Sequence, residues 1–195
     1  MRKRTGEARE NRHVKGRPSG PSRSNFLAEE DLVEKVRAKE VSFILILDCV
    51  QDPHNLGAIL RTADGAGVQA VVVPKDKSVG ITDTVRRISV GAADAVPFVR
   101  VTNLSRAMKS LQEAGMWLVG TSDRAEKTLF ETDLKGALGM VIGAEGDGLR
   151  RLTEENCDFL VKLPMLGKVP CLNASVATGV CLYEAVRQRL ESGAS

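Results

Sequence analysis

Three short segments place polar side chains and small residues directly beside apolar runs: residues 55–61 (NLGAILR), 143–148 (GAEGDG) and 172–177 (LNASVA). A polar group next to a core is unfavourable unless it is hydrogen-bonded or used in function. Together the segments offer two amides, a guanidinium, a carboxylate and a hydroxyl, from Asn55, Asn173, Arg61, Glu145 and Ser175. These groups can bind and polarise a substrate, so they are the candidates for chemistry.

Each candidate also has a structural interpretation. Arg61 lies among apolar helix residues, where a guanidinium needs an anionic partner or extends into solvent. By simple helical spacing Arg61 shares no face with Asn55, but the two can still converge if Asn55 lies in the turn before the helix. Glu145 lies in a glycine turn that suits backbone contact with a ligand, or is a solvated acid. Asn173 and Ser175 can both cap a helix, and one cap suffices, which leaves a polar group for other work.

Several common sites are absent from the sequence. No glycine fingerprint of a dinucleotide fold follows the first predicted strand, and no Walker A loop or GxSxG elbow occurs. With only two histidines, a Ser-His-Asp triad is not expected. The four cysteines form no CxxC pair and no metal-ligand spacing, so free buried thiols in a reducing cytosol are expected, and no metal.

The elements that must position these residues follow from the apolar pattern. Six buried runs predict strands at 42–48, 69–73, 96–101, 116–120, 137–142 and 159–163. The intervening stretches predict helices at 56–66, 104–114, 149–156 and 174–189, with 26–40 a short helix or linker and 81–90 helical or irregular. This alternation predicts an α/β fold with a parallel sheet covered by helices on both faces. Because such sheets bind ligands beyond the carboxyl ends of their strands, the three segments are expected to meet there.

Charge divides the chain unevenly. Residues 1–23 carry eight Lys or Arg against two Glu, a net charge of +6, whereas the remainder is mildly acidic. The start of the chain has too few apolar residues to fold alone, so residues 1–24 are predicted to be a basic disordered tail that contacts nucleic acid or is only a leader. Residues 25–41 are a linker or short helix, and 42–195 the catalytic domain. The sequence contains no apolar run long enough for a membrane span.

At its three motifs the chain resembles the SpoU/TrmH branch of the SPOUT methyltransferases. The first motif pairs Asn55 with Arg61, the second is the glycine turn around Glu145, and the third is the Leu-Asn-x-Ser-Val-Ala run at 172–177. The resemblance covers residues 43 to 189 and implies an α/β fold with a deep C-terminal trefoil knot. It also implies S-adenosylmethionine as the methyl donor, a ribose 2′-hydroxyl of RNA as the acceptor, and a homodimer with active sites at the subunit interface.

The same resemblance implies roles for particular residues. The catalytic group would be Asn55, Arg61, Glu145 and Ser175. The residues that contact or lie near the cofactor would be Gly120, Thr121, Gly143, Leu163, Met165, Leu172 and Asn173. Because a guanidinium keeps its proton, Arg61 is expected to stabilise the developing alkoxide and the neighbouring phosphate. Glu145 would orient Arg61 or accept the proton through water, while Asn55 and Ser175 hold the ribose and phosphate.

The expected substrate is a guanosine of 23S ribosomal RNA, methylated by a cytoplasmic enzyme. Two alternatives stay open: a transfer RNA 2′-O-methyltransferase, and a non-catalytic RNA-binding or ribosome-assembly module that retains the fold. A nucleotide-dependent α/β enzyme of another kind is disfavoured by the missing phosphate loops.

Overall fold

Six apolar runs form one sheet in the computed structural model, which describes residues 25–193. The strands are β1 (Phe43–Leu47), β2 (Ala70–Pro74), β3 (Phe98–Val101), β4 (Trp117–Thr121), β5 (Leu138–Ile142) and β6 (Phe159–Val161). The helices are α1 (Glu29–Arg37), α2 (Pro53–Gly65), α3 (Asp83–Ser89), α4 (Ala92–Ala95), α5 (Leu104–Glu113), α6 (Arg151–Glu155) and α7 (Ala174–Glu191). Each predicted strand is present, with ends that differ from the prediction by at most two residues.

The strands are all parallel and lie in the order β3-β2-β1-β5-β4-β6. The chain moves outward from β1 through β2 to β3 and then crosses to the other half of the sheet. There β5 lies beside β1, β4 lies beyond β5, and β6 forms the edge. β1 and β5 are therefore neighbours at the point where the direction of the sheet reverses. At such a point the connections leave in opposite directions and open a crevice. The predicted α/β fold is confirmed.

Alternate residues of the central strands face two separate apolar cores. In β1, Leu45 and Leu47 pack with α2, α3, α4 and α7, whereas Ile44 and Ile46 pack with α1 and α5. All four side chains are fully buried. Burial on both faces explains why β1 is a continuous apolar run rather than an alternating one.

Most helices that follow the carboxyl ends of the strands begin at polar side-chain caps, whereas α6, after β5, has none. The Asp52 carboxylate accepts a hydrogen bond from the His54 N–H at 2.9 Å, and Pro53 is the first residue of α2. The cap and proline start α2 three residues before the predicted position, since neither contributes to the apolar periodicity. Asn103 caps α5 in the same way, and Asn173 caps α7.

The outer edge of β6 is covered by the segment that follows β4. The Lys162 N–H donates to the Lys127 carbonyl at 3.0 Å, and the Leu129 N–H donates to the Lys162 carbonyl at 2.9 Å. From β6 the chain returns through residues 163–173 to α7, which packs on α2 and β5. The predicted trefoil knot concerns this return path and stays a prediction. The predicted basic tail, residues 1–24, lies outside the described residues.

Candidate active site

The crevice between the carboxyl ends of β1 and β5 collects residues of all three motifs. β1 leads into α2, whose first turn contains Asn55, and β5 leads into the glycine turn that contains Glu145. The return segment 163–173 ends at Asn173, directly before α7. A cavity of about 340 Å³ lies here, lined by residues 49–52, Asn55, Ala144, Glu145, Asp147 and Ala174.

Four polar side chains in this crevice form one hydrogen-bonded group, here called the polar cluster: Asn55, Glu145, Asn173 and Ser175. The Asn173 amide donates to Glu145 Oε2 at 2.8 Å and to Asn55 Oδ1 at 3.0 Å. The Asn55 amide donates to the same Glu145 oxygen at 3.3 Å. Ser175 donates its hydroxyl, at 2.6 Å, and its backbone N–H, at 3.0 Å, to Asn173 Oδ1. The cluster joins residues 90 and 118 positions apart.

The cluster leaves acceptors available to a ligand. Glu145 is exposed, and its Oε1 makes no hydrogen bond with any residue of the described range 25–193. The Ser175 hydroxyl oxygen retains its lone pairs, because that group is a donor toward Asn173. A carboxylate oxygen beside a hydroxyl, with two amides that orient it, can accept a hydrogen bond or a proton from a substrate hydroxyl.

The turn that carries Glu145 closes tightly on itself. The Ala144 N–H donates to the Gly148 carbonyl at 3.1 Å, and the Gly148 N–H returns a bond to the Ala144 carbonyl at 3.0 Å. A Cβ at Gly143 would lie 2.1 Å from the Gly148 carbonyl carbon, so a side chain there would move the backbone. Gly146 and Gly148 have φ values of 86° and 68°, which side chains rarely adopt. Glycine at these positions therefore sets where Glu145 lies.

The residues predicted to bind the cofactor lie along one edge of the sheet. The neighbouring strands β5, β4 and β6 end at this edge. Gly143 directly follows β5, Gly120 and Thr121 are the last residues of β4, and Leu163 and Met165 follow β6. In the described chain, the backbone N–H and C=O groups of residues 163–172 form no hydrogen bonds and can bind a ligand. Leu163 is half-buried against the core, and Leu172 is partly exposed. Apolar side chains beside free backbone groups suit an adenine ring with polar edges.

Gly120 has a packing function in addition to any cofactor contact. A Cβ at this position would lie 2.6 Å from Cys157 Sγ and 2.9 Å from Leu149 Cδ1. The absence of a side chain therefore allows the chain around α6 to lie close over β4. The sequence did not predict this role.

The described chain does not bring Arg61 into the polar cluster. Asn55 lies inside the first turn of α2 and not in the turn before it, so the condition for convergence with Arg61 is not met. Six helical residues rotate a side chain by about 120° and advance it about 9 Å along the axis. Arg61 is exposed and has no hydrogen bond or ion pair with any residue between 25 and 193. Its guanidinium is free for a partner outside this chain.

The sequence did not predict an ion pair between the buried Asp48 and the partly exposed Arg150, at the ends of the segments that leave β1 and the glycine turn. Asp48 directly follows β1 and is completely buried, and Arg150 donates to it from Nε at 2.7 Å and from its backbone N–H at 3.0 Å. Burial raises the pKa of the Asp48 carboxyl, but hydrogen bonds from Arg150 and Thr153 outweigh it and hold that pKa below its usual value. The sequence signal for this pair is the aspartate at the end of a fully apolar strand. A carboxylate buried there requires a charged or hydrogen-bonding partner.

The cysteines differ from the expectation that all are buried. Cys181 is buried and Cys157 nearly so, and burial raises the pKa of each thiol to about 12. Cys171, in the return segment, is exposed, because residues 163–172 lie over the surface without regular structure. The four thiols are free in the described chain. No cluster of three metal-ligating side chains occurs within residues 25–193, and none of the helices there is both long and apolar enough to cross a bilayer.

Curated relatives are similar over most of the chain. A 23S rRNA (guanosine-2′-O-)-methyltransferase RlmB of Shewanella oneidensis is 57% identical over 85% of this chain and 68% of its own length. The RlmB of Pseudomonas aeruginosa is 59% identical over 82% of this chain and 64% of its own length. The chain thus spans about two thirds of the length of these relatives.

Solved structures agree with the sequence matches. The A. aeolicus TrmH/SpoU tRNA modifying enzyme superimposes with a TM-score of 0.72 at 30% identity, over 85% of this chain and 86% of that one. The SpoU methyltransferase AviRb from Streptomyces viridochromogenes, solved in complex with AdoMet, gives a TM-score of 0.70 at 30% identity, over 88% of this chain and 63% of that one.

The sequence profile of the SpoU rRNA Methylase family matches residues 42–183, a range that contains Asn55, Arg61, the glycine turn and the Leu-Asn-x-Ser-Val-Ala motif. On the sequence match, the parallel sheet and the polar cluster at its reversal point, the chain belongs to the SpoU rRNA methylase family.

Proposed function

We propose that this protein transfers the methyl group of S-adenosylmethionine to the ribose 2′-hydroxyl of a guanosine in 23S ribosomal RNA. The observation that carries the proposal is the polar cluster, which is assembled from the three family motifs and presents a carboxylate oxygen and a hydroxyl to the crevice. The names of the RlmB relatives supply the substrate class. A ribosomal RNA substrate also implies that the protein works in the cytoplasm.

The cofactor would bind along the carboxyl ends of β5, β4 and β6. The free backbone groups of residues 163–172 would recognise the adenine and ribose edges, and Leu163 and Leu172 would contact the ring. Gly120, Thr121, Gly143, Met165 and Asn173 would form the rest of this surface. When bound, S-adenosylmethionine supplies an electrophilic methyl group, so positioning and deprotonation of the substrate fall to the protein.

Each residue of the polar cluster then has a distinct task. Asn55 and Ser175 would hydrogen-bond the ribose and its phosphate, and Asn173 would hold Glu145 in place through its 2.8 Å contact. Glu145 would accept the 2′-hydroxyl proton through water or orient a cation beside it. Arg61 would stabilise the negative charge that develops on the 2′-oxygen.

We infer that the protein is a homodimer in which Arg61 of one protomer completes the cluster of the other. Arg61 has no partner among the described residues of its own chain. Helix α7, which packs against α2, exposes Val176, Val180 and Tyr183, and these recur at i, i+4 and i+7 on one helix face. An apolar stripe beside an unpaired guanidinium suits a subunit interface. Such an interface would bury the stripe and place the guanidinium of Arg61 in the polar cluster of the other protomer.

The proposal is tested with purified protein, S-adenosylmethionine, and unmodified 23S ribosomal RNA or transfer RNA. A 2′-O-methyl group protects the adjacent phosphodiester from alkali, so the expected result is one protected guanosine in the 23S RNA. Glu145→Gln should abolish the protection, whereas Glu113→Gln, an exposed site in α5, should leave it intact. Protection in transfer RNA alone would favour the alternative substrate. Binding of both ligands without methylation would favour the non-catalytic module.

A further inference from the structure

The ion pair between the buried Asp48 and the partly exposed Arg150 links two of the three segments that build the polar cluster. Asp48 leaves β1 toward α2 and Asn55, while Arg150 leaves the glycine turn that holds Glu145. The guanidinium contacts Asp48 Oδ1 from Nε at 2.7 Å and from its terminal nitrogen at 2.6 Å, and its backbone N–H contacts Oδ2 at 3.0 Å. Both oxygens of one carboxylate therefore hold both the side chain and the backbone of one arginine.

The backbone around the pair is constrained as well. The Asp48 N–H donates to the Ile142 carbonyl at 2.8 Å, so the pair continues the β1–β5 ladder beyond the strand ends. Cys49, next in the chain, has φ of 63°, a left-handed conformation that turns the chain from β1 toward α2. The pair thus holds the two segments together upstream of Asn55, at Asp48, and downstream of Glu145, at Arg150.

The exposure of the cluster contrasts with the burial of the Asp48 carboxylate, although the Arg150 side chain that pairs with it is partly exposed. Glu145 and Asn173 are exposed, so water competes for the hydrogen bonds between them. Asp48 is completely buried, so water does not reach its carboxylate. An exposed contact between side chains contributes little to rigidity, while a buried, fully hydrogen-bonded carboxylate fixes its surroundings. The geometry of the exposed cluster is expected to depend on the contact between the buried Asp48 and Arg150, which joins the two segments that carry Asn55 and Glu145.

We propose that Asp48 and Arg150 are positioning residues that set the distance between Asn55 and Glu145, and thereby the rate of methyl transfer. This inference rests on the proposed function, because the rate concerned is that of ribose methylation. Neither residue needs to touch substrate or cofactor. A misplacement of about 1 Å in a reacting group can lower a rate on the order of 100-fold, so a loss of the pair acts on kcat before it acts on binding.

The test compares Asp48→Asn and Arg150→Lys with the wild type. Asp48→Asn keeps the shape of the side chain and removes its charge, and Arg150→Lys keeps the charge and loses the two-nitrogen contact. We expect kcat to fall at least about tenfold in Asp48→Asn and less in Arg150→Lys, with the KM for S-adenosylmethionine within about twofold of wild type. The side-chain amide signals of Asn55 and Asn173 in the NMR spectrum of the free protein should shift in the same order.

Glu184→Gln is the matched control for loss of a mostly buried carboxylate. Glu184 accepts hydrogen bonds from Arg187 and Gln188 on α7 and has no contact with the polar cluster. The substitution Glu184→Gln should lower the melting temperature but leave kcat and the amide signals of Asn55 and Asn173 unchanged. An equal fall of kcat in this control would overturn the proposal, since the loss would then follow general destabilisation.

Unchanged kcat and unchanged amide signals in Asp48→Asn would also overturn it, and the pair would only stabilise the fold. If Asp48→Asn does not fold, Arg150→Lys decides by the same criteria. The NMR measurement needs no substrate, so it tests the positioning role of the pair separately from the proposed methyltransferase activity. A wild type that does not methylate RNA would contradict the proposed function, while the amide signals would still test the positioning.

Discussion

Glu145 uses a single carboxylate oxygen for both of its amide contacts, which leaves the other oxygen for the substrate side of the crevice. Asn173 has two tasks at once, because its oxygen caps α7 and its amide group holds Glu145 and Asn55. A capping residue and a site residue are therefore the same side chain. Ser175, the second capping candidate, instead donates to the cap and keeps its acceptor capacity.

Arg61→Ala is expected to reduce kcat to about one hundredth of wild type or less, because the charge that stabilises the developing alkoxide is lost. Cofactor affinity, measured by calorimetry, should stay unchanged. Lys109→Ala, an exposed cation of α5, is the control for a general loss of positive charge. Near-normal turnover by Arg61→Ala would refute the role given to this residue.

Gly143→Ala is expected to abolish cofactor binding and methylation together. The added Cβ would meet the Gly148 backbone at about 2.1 Å, so the turn that carries Glu145 must open. Calorimetry with S-adenosylmethionine and a melting curve measure the two consequences. Gly80→Ala, in the loop between β2 and α3, is the control for substitution of a glycine in a loop, because a Cβ there meets nothing within 4 Å. Retained cofactor binding in Gly143→Ala would contradict the place given to this turn.

At the scale of helices and strands, the sequence predicted most of the fold because burial leaves a direct pattern. The strands are mostly apolar, Arg100 of β3 being the one charged residue within them, and each strand was predicted within two residues. The start of α2 was missed, because Asp52 and Pro53 begin the helix without contributing to apolar periodicity. That difference moved Asn55 into the helix, so the condition under which Asn55 and Arg61 could converge within the chain is not met. α4 was also missed, since four residues are too few to show a period.

The Asp48–Arg150 pair predicts a loss of stability in acid. The pKa of Asp48 is lower in the folded protein than in the unfolded chain, so its contribution is complete above the ordinary value of about 3.9 and is lost as the pH falls through the folded value. Arg150 faces the carboxylate, Cys49 adjoins it, and both guanidinium and thiol keep their protons in this range.

Urea unfolding between pH 7 and pH 3 measures this contribution. At pH 7, Asp48→Asn should lower the free energy of unfolding by on the order of 2 kcal/mol, less than the ~3–5 kcal/mol of a fully buried pair because the Arg150 side chain is 43% exposed. The difference between wild type and variant should shrink in acid. A constant difference across the range would show that Asp48 does not titrate as described.

If the cofactor binds along the return segment, it should protect Cys171 from alkylation. Cys171 is exposed and should be alkylated first in the native protein, whereas Cys157 and Cys181, with pKa values that burial raises to about 12, should react only after unfolding. Saturating S-adenosylmethionine should slow the alkylation of Cys171 severalfold, as followed by peptide mass spectrometry. Methionine at the same concentration is the control. An unchanged rate would place the cofactor away from this segment.

At the scale of the whole molecule, the order of the strands decides where the site lies, and the local pattern does not contain that order. Six parallel strands allow many arrangements, and only the pairing of β1 with β5 brings Asn55 next to Glu145. The family resemblance supplied the motifs, while the sheet explains why they meet. Arg61 has no partner among the described residues of this chain, and helix periodicity cannot indicate where a partner would lie.

The most direct measurement uses heterodimers of Arg61→Ala and Glu145→Ala protomers, purified through two different tags and assayed for ribose methylation. If Arg61 acts across the interface, one site of each heterodimer has both residues intact, and activity should recover to about half of wild type by the symmetry of the dimer. If Arg61 acts within its own protomer, both sites stay defective. Activity no higher than that of the two inactive parents would contradict a site shared between subunits.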